Sequence, residues 1–317
     1  MDADFRFIRY SMNPRMPRRP IRLRLTVGVA AIVVLIAGCI SFEQSERELT
    51  FRPVRADAGW YSGMPEAVQD VYLPVGDDAR HQRIHGWWWP DADPHAPVVL
   101  YLHGARWNLT GHLNRIAQLR RFGFSVFAID YRGFGKSDGD LPSEASVYED
   151  ARIGWEWVVR HEPDASRRFI YGHSLGGAIA VDLAAHLADG GPAAHGLIIE
   201  SSFTSLADMA SEVTHGWLPV ALLSQKFDSI DKIRRVRIPV LVVHGAGDRY
   251  VPARFSIALY EAALEPKKLL LIENGSHNNS LSIGSADYER ALADLFGIAV
   301  RDSTGPRRSA AVTHSRS

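Results

Sequence analysis

The sequence predicts an α/β fold: a mostly parallel sheet of about eight strands with helices on both faces. Three observations carry that expectation. From residue 68 to 298 short apolar runs alternate with amphipathic stretches of helical length, the order that builds a parallel sheet covered on both sides. Runs such as Pro97 to Leu102 are apolar throughout, as strands buried on both faces require. At Gly172-His173-Ser174-Leu175-Gly176 an apolar strand gives way to a small-residue helix, which puts a serine on the turn between them.

Val68 to Pro74 and Ile84 to Trp89 read as two strands joined by a polar turn through Gly76, Asp77 and Asp78, a hairpin. Trp87, Trp88 and Trp89 cannot share one face of a strand, so at least one is expected as edge cover. Pro97 to Leu102 is a buried strand closed by His103-Gly104, and Leu113, Ile116, Ala117 and Leu119 give the helix from about Thr110 to Phe122 one buried face. Gly123 stops it. Phe124 to Ile129 is the next strand, a turn-rich loop runs from Asp130 to Ser137, and Pro142-Ser143-Glu144 opens a helix to about Arg160. Strands follow at Arg168 to Tyr171, Gly196 to Glu200, Val240 to His244 and Lys268 to Ile272. Helices run from the elbow to about Leu187, from Ala253 to Leu264 and from Gly284 to Phe296. The stretch 203–237 is longer than one crossover helix needs and carries Trp217, Leu218, Val220, Leu222, Leu223 and Phe227. It reads either as a small cap or as an extended crossover packed on the sheet.

The N-terminus has another character. Arg15, Arg18, Arg19, Arg22 and Arg24 precede an uncharged apolar run from Leu25 to Gly38, too short to span a bilayer but fit for a secretory signal. Its end, Ile36-Ala37-Gly38-Cys39, resembles the lipobox of bacterial lipoproteins, which implies removal of residues 1–38 and lipidation of Cys39. An uncleaved signal-anchor helix is the other reading. Cys39 is the single cysteine, so no disulfide is expected. With several acyl chains the anchor would be stable, the protein facing the periplasm. Ile40 stands where many inner-membrane lipoproteins carry Asp, which favours the outer membrane. Residues 39–66 read as a charged, solvated tether, 67–298 as the folded domain, and 299–317 as a disordered polar tail. Formal charge is zero, 36 basic against 36 acidic residues, so no global field points to nucleic acid.

Two segments fit G-x-S-x-G. Ser174 lies between a strand and a helix rich in Gly and Ala; Ser137 is followed by Asp138-Gly139-Asp140-Leu141-Pro142, which cannot begin a helix, and is read as a decoy. A serine needs a base to attack at neutral pH. Of the thirteen histidines, His277 occupies the loop after the last strand, where sheet-borne sites gather. His173 should point away from Ser174, while His103 and His244 read as loop-fixing residues. Asp248, after the preceding strand, is the expected acid that orients His277, with Glu200 the second candidate. Oxyanion donors are expected from the backbone NH of Leu175, at the helix start, and of Ala105, after His103-Gly104. No cluster has metal-ligand spacing and H-E-x-x-H is absent, so neither a metal nor a cofactor is expected.

Taken together, His103-Gly104, Asp130-Tyr131-Arg132-Gly133-Phe134-Gly135-Lys136-Ser137, Pro142-Ser143-Glu144, Gly172 to Gly177, Glu200-Ser201-Ser202-Phe203-Thr204-Ser205 and His244-Gly245-Ala246-Gly247-Asp248 resemble the Bem46-type serine hydrolases of the α/β-hydrolase superfamily. Ala105-Arg106-Trp107-Asn108 departs from the Asn-rich sequence often found there in those relatives, so the Ala105 donor is the least supported by the pattern. The resemblance and the order Ser174, Asp248, His277 imply a serine hydrolase of carboxylic esters or thioesters working through an acyl-enzyme on a small-molecule or lipid-like substrate. A peptidase or amidase would use the same triad. The reading from a different class is a catalytically silent envelope lipoprotein that uses the fold as a binding scaffold.

Overall fold

The structure, a computed structural model, describes residues 40–76 and 81–298. The expected signal peptide, Cys39, most of the first hairpin turn and the tail lie outside the described residues. The chain divides into two units, 1–44 and 45–317. Of the first, 40–44 are described, as the start of a helix over 40–51 (α1). The second holds the sheet and the site.

Eight strands form the sheet: β1 (Gln69–Pro74), β2 (Arg83–Trp89), β3 (Val98–Leu102), β4 (Ser125–Asp130), β5 (Arg168–His173), β6 (Gly196–Glu200), β7 (Val240–Gly245) and β8 (Lys267–Ile272), in the order β1-β2-β4-β3-β5-β6-β7-β8. β1 and β2 pair antiparallel, as the expected hairpin, and β2 is antiparallel to β4; every later pairing is parallel. The strands β3 to β7 are buried along their whole length, which explains why they read as unbroken apolar runs.

Helices cover both faces. On one lie α2 (Leu109–Arg121) and α9 (Ser285–Phe296), whose Ile116, Leu119, Tyr288, Leu292 and Phe296 join Val99, Tyr101, Phe169 and Leu241 in one core layer. On the other lie α3 (Glu144–His161), α4 (Leu175–Ala188), α6 (Ser229–Ile233) and α7 (Ala253–Ala262), with Trp155, Ile179, Leu183, Ile233 and Leu259 against Leu100, Ile129, Ile170 and Val242. Each large side chain so buried contributes about 1.5–3 kcal/mol. The starts are fixed locally: Asn108 caps α2 by accepting from the Thr110 NH, and Ser143 forms a capping box with Ser146 on α3.

Three expectations meet a different outcome in detail. The stretch 39–66 is not a solvated tether from residue 45 onward. Phe51 is fully buried beside Phe227, the Glu46 carboxylate accepts from the NH groups of Ser224 and Gln225, each at 2.8 Å, and Asn108 donates to the carbonyls of Val54 and Ala56. The acidic residues that suggested solvation are partly the ones that dock the segment. The tryptophans do not cover an edge, because β2 is paired on both sides; Trp87 packs into one core layer and Trp88 meets Trp157 of α3 on the other face, ring centroids 5.1 Å apart. Finally, 203–237 divides into two parts. Its α6 packs on α4 and α7 as a crossover does, whereas α5 (Leu206–Thr214) buries none of its residues, leaves Val213 exposed and leads into a stretch where Trp217 and Leu222 stand exposed.

Candidate active site

The site lies at the C-terminal ends of β5, β6, β7 and β8, neighbours in the sheet. Ser174 stands between β5 and α4 with φ 55° and ψ −120°, a conformation that costs about 1–3 kcal/mol for a residue with a Cβ and is held only by its surroundings. Those surroundings are explicit. Its NH donates to the Glu200 carbonyl at 2.8 Å, and its carbonyl accepts from the Gly177 NH and the Ser202 hydroxyl, each at 2.9 Å. The sharp turn also needs its glycines: a Cβ on Gly172 would overlap the Gly176 carbonyl, and one on Gly176 would overlap the carbonyl of Leu102.

Asp248 and His277 are brought together across two loops. His277 Nδ1 donates to Asp248 Oδ2 at 2.7 Å, the tautomer in which Nε2 of a neutral ring is the nitrogen that can accept a proton. Asp248 is completely buried as a side chain. Burial opposes its ionisation, but hydrogen bonds from His244 and His277 and the NH of Val251 overcome that and hold the carboxyl well below the usual carboxylate range. His244 in turn bonds Ser256 and the Val251 carbonyl at 2.7 and 2.8 Å, fixing the loop that carries Asp248. His277 stands against the residue before the nucleophile: its ring centroid is 4.8 Å from that of His173, and the His277 carbonyl accepts from His173 Nε2 at 2.9 Å and from Arg115 at 3.3 Å. His173 thus holds the His277 loop through its main chain. Burial, with the charge of Arg115 nearby, pushes its pKa well down and keeps it neutral. No hydrogen bond joins Ser174 Oγ to His277 Nε2 among the described residues; such bonds often tighten only with substrate bound.

Leu175 opens α4, so its NH has no intrahelical acceptor and lies at the positive end of the helix dipole. The His103-Gly104 turn abuts the elbow: a Cβ on Gly104 would come within 3.2 Å of Ser174 Cβ. Ala105 follows directly. After it Arg106 adopts φ 82° and donates its NH to the Phe51 carbonyl, while its guanidinium stacks on Trp107, which meets Trp60 edge-on. Tyr131 donates to the His103 carbonyl at 3.0 Å, so the Asp130-Tyr131-Arg132 loop steadies the turn from below.

The second serine motif is a buried brace. Ser137 is fully buried, donates to the Asp130 carbonyl at 2.6 Å and accepts from the His85 NH at 2.8 Å. Glu200 is engaged elsewhere than with His277: its buried carboxylate accepts from Arg115, Tyr171, Ser280 and Tyr288. Sequence reasoning passed over Arg115 and the link from His244 to Asp248. A signal existed for both, Arg115 lying beside Ile116 on the buried stripe of α2 and His244 standing four residues before Asp248. Among the described residues no group of three or more His, Cys, Asp or Glu side chains could hold a metal ion. A cavity of about 260 Å³, lined by Asp93, His95, Arg167, Phe169 and Phe296 among others, opens near the N-terminal ends of β3 and β5 and contains none of the triad candidates.

Residues 93–230 match the profile of a family described as serine aminopeptidase, S33. The uncharacterized protein Rv2307c of Mycobacterium tuberculosis is 36% identical over 256 residues, 79% of this chain and 88% of that protein. Protein bem46 of Schizosaccharomyces pombe is 32% identical over 206 residues, 63% of this chain and 67% of its own. The lysophosphatidylserine lipase ABHD12 of Danio rerio is 31% identical over 188 residues, 55% of this chain and 49% of that one. Among solved structures, the Pyrococcus furiosus esterase Pf2001 superposes with a TM-score of 0.60 at 18% identity, covering 78% of this chain and 97% of the other, a likeness of fold.

Proposed function

The chain belongs to the Bem46-like α/β hydrolases, and from that membership and the site geometry we propose a serine hydrolase that cleaves carboxylic esters or thioesters through an acyl-enzyme. The observation that carries it is a serine at positive φ on a strand-to-helix turn beside an Asp248-His277 pair of 2.7 Å. In this reading His277 Nε2 takes the Ser174 proton as Oγ attacks the carbonyl carbon, and the NH groups of Leu175 and Ala105 receive the oxyanion. The carbon–oxygen or carbon–sulfur bond to the leaving group breaks, and His277 returns the proton to the departing alcohol or thiol. Water then gives its proton to His277, attacks the acyl-serine, and the acid leaves as the proton passes back to Ser174 Oγ. Asp248 fixes the tautomer and stabilises the imidazolium.

The ester reading draws support from the relative described as a lysophosphatidylserine lipase; the family description of a serine aminopeptidase favours a peptidase on the same triad. Purified protein offered a p-nitrophenyl ester series and a peptide series separates the two, and turnover of peptides alone overturns the ester proposal. Labelling by a fluorophosphonate probe that disappears in Ser174→Ala supports the enzyme; wild type that takes no label supports a scaffold. We also propose that Cys39 is lipidated and holds the protein to the periplasmic side of the envelope, with the outer membrane favoured by Ile40. No helix of the described residues is long and apolar enough to cross a membrane. Cys39→Ser is expected to release the protein from the membrane fraction; unchanged retention points to an uncleaved apolar helix.

A further inference from the structure

Glu200 touches both halves of the candidate machinery. Its carbonyl accepts from the Ser174 NH at 2.8 Å, fixing the elbow, while its carboxylate takes part in a buried network on the opposite side. There Arg115 of α2, itself buried, donates one terminal nitrogen to Glu200 Oε1 and the other to the His277 carbonyl at 3.3 Å. Ser280, the first residue of α8 (Ser280–Ile283), donates to the same Oε1, and the hydroxyls of Tyr171 and Tyr288 donate to Oε2. The segment 277–280 is therefore held at both ends by one ion pair, at His277 through Arg115 and at Ser280 through Glu200.

A buried ion pair contributes little net stability, because desolvation offsets most of the attraction, and well-packed apolar side chains would serve a core as well. What apolar side chains could not do is donate to the carbonyl of His277. The Arg115 charge loses hydration on burial, but Glu200, Tyr171 and Tyr101 around it restore the preference for the charged form. Arg115 is thus a permanent cation whose planar fork spans the carboxylate and the loop carbonyl at once, a geometry that a lysine ammonium does not reproduce. The second donor to that carbonyl, His173, is the last residue of β5, directly before Ser174. The base is accordingly fixed against the nucleophile from two elements.

The geometry points to Glu200 and Arg115 as a positioning pair that sets the His277 imidazole against Ser174. This assignment rests on the serine-hydrolase reading above. Neither residue touches the reacting atoms; Arg115 acts through the His277 main chain and Glu200 through Arg115 and Ser280. A displacement of about 1 Å between base and nucleophile costs on the order of a hundredfold in rate while leaving substrate binding intact. The effect therefore belongs in kcat and not in KM.

The test uses the purified full-length protein with p-nitrophenyl butyrate, a fluorophosphonate probe and thermal melting, on Arg115→Gln, Arg115→Lys and Ser280→Ala. Arg115→Gln is expected to lower kcat and the probe's inactivation rate about 10–100-fold with KM within about twofold. Arg115→Lys keeps the charge opposite Glu200, and is expected to melt near wild type yet recover only part of kcat. Ser280→Ala leaves both charges in place and should cost about two- to fivefold in kcat. Folded Arg115→Gln with kcat within threefold of wild type overturns the assignment, as does a loss carried by KM. If Arg115→Gln does not fold, wild-type kcat in Arg115→Lys overturns it instead. Wild type that neither turns over the ester nor takes the probe is a different failure, that of the serine-hydrolase reading itself.

Discussion

Replacing Ser137 by alanine separates the two serine motifs by physics. The Ser137 hydroxyl is fully buried and satisfies two main-chain groups, donating to the Asp130 carbonyl at 2.6 Å and accepting from the His85 NH at 2.8 Å. Alanine leaves both groups buried without a partner, at about 1–3 kcal/mol each, so a total loss of about 2–4 kcal/mol follows after partial relaxation. For a domain of this size each kcal/mol lowers Tm by about 2–4 °C, so a fall of about 4–16 °C is expected in a melting experiment. The loop carrying Ser137 braces the His103 turn without reaching the reacting atoms. At 20 °C, where the variant remains folded, fluorophosphonate labelling should stay within about threefold of wild type. Labelling abolished at an unchanged Tm would identify Ser137 as the nucleophile and refute the reasoning. A variant unchanged in both would show that the two hydrogen bonds do not support the fold as argued.

Asp248→Asn should reduce kcat about 10³–10⁴-fold with the fold intact, because the amide no longer fixes the His277 tautomer or stabilises the imidazolium; steady-state ester kinetics check it. The same carboxylate makes a signed prediction about acid. Its folded pKa lies below the unfolded value of about 3.9, so its stabilisation is present above about pH 4 and is lost as pH falls through the folded value. Wild type should therefore lose more urea stability than Asp248→Asn between about pH 5 and pH 2, and equal slopes would count against the buried hydrogen bonds. Gly176→Ala should destabilise by at least about 3 kcal/mol or prevent folding, since its Cβ overlaps the Leu102 carbonyl and the backbone must move; soluble yield and Tm measure this, and a native-like variant would refute the close packing at the elbow.

Much of this was legible in the sequence, for physical reasons that operate over a few residues. Strands buried on both faces must be apolar throughout, which made β3 to β7 readable, and the choice between Ser174 and Ser137 followed from whether a helix could begin after each. The chain order of Ser174, Asp248 and His277 located candidates at the ends of three strands. The docked segment after residue 45 was not legible, because Glu46 looks like a solvated acid until Ser224 and Gln225, nearly 180 residues away, offer it their NH groups. Glu200 illustrates the same limit within the site. As a carboxylate at a strand end it was the second candidate partner for His277, and only the chain order, nothing about its neighbours, placed Asp248 ahead of it.

The tertiary structure divided the two acids by what packs against each. Asp248 meets His277 Nδ1, whereas Glu200 meets an arginine from a helix 85 residues earlier, together with hydroxyls from β5, α8 and α9. The sequence by itself determined the fold class and the identities of the residues at the strand ends, because periodicity, turn chemistry and steric demand at the elbow are local. Which carboxylate orients the histidine and which carries a buried cation depends on pairings between distant elements. Such pairings are set by packing and by the cost of leaving a charge unpaired, and they exist only once the chain has folded.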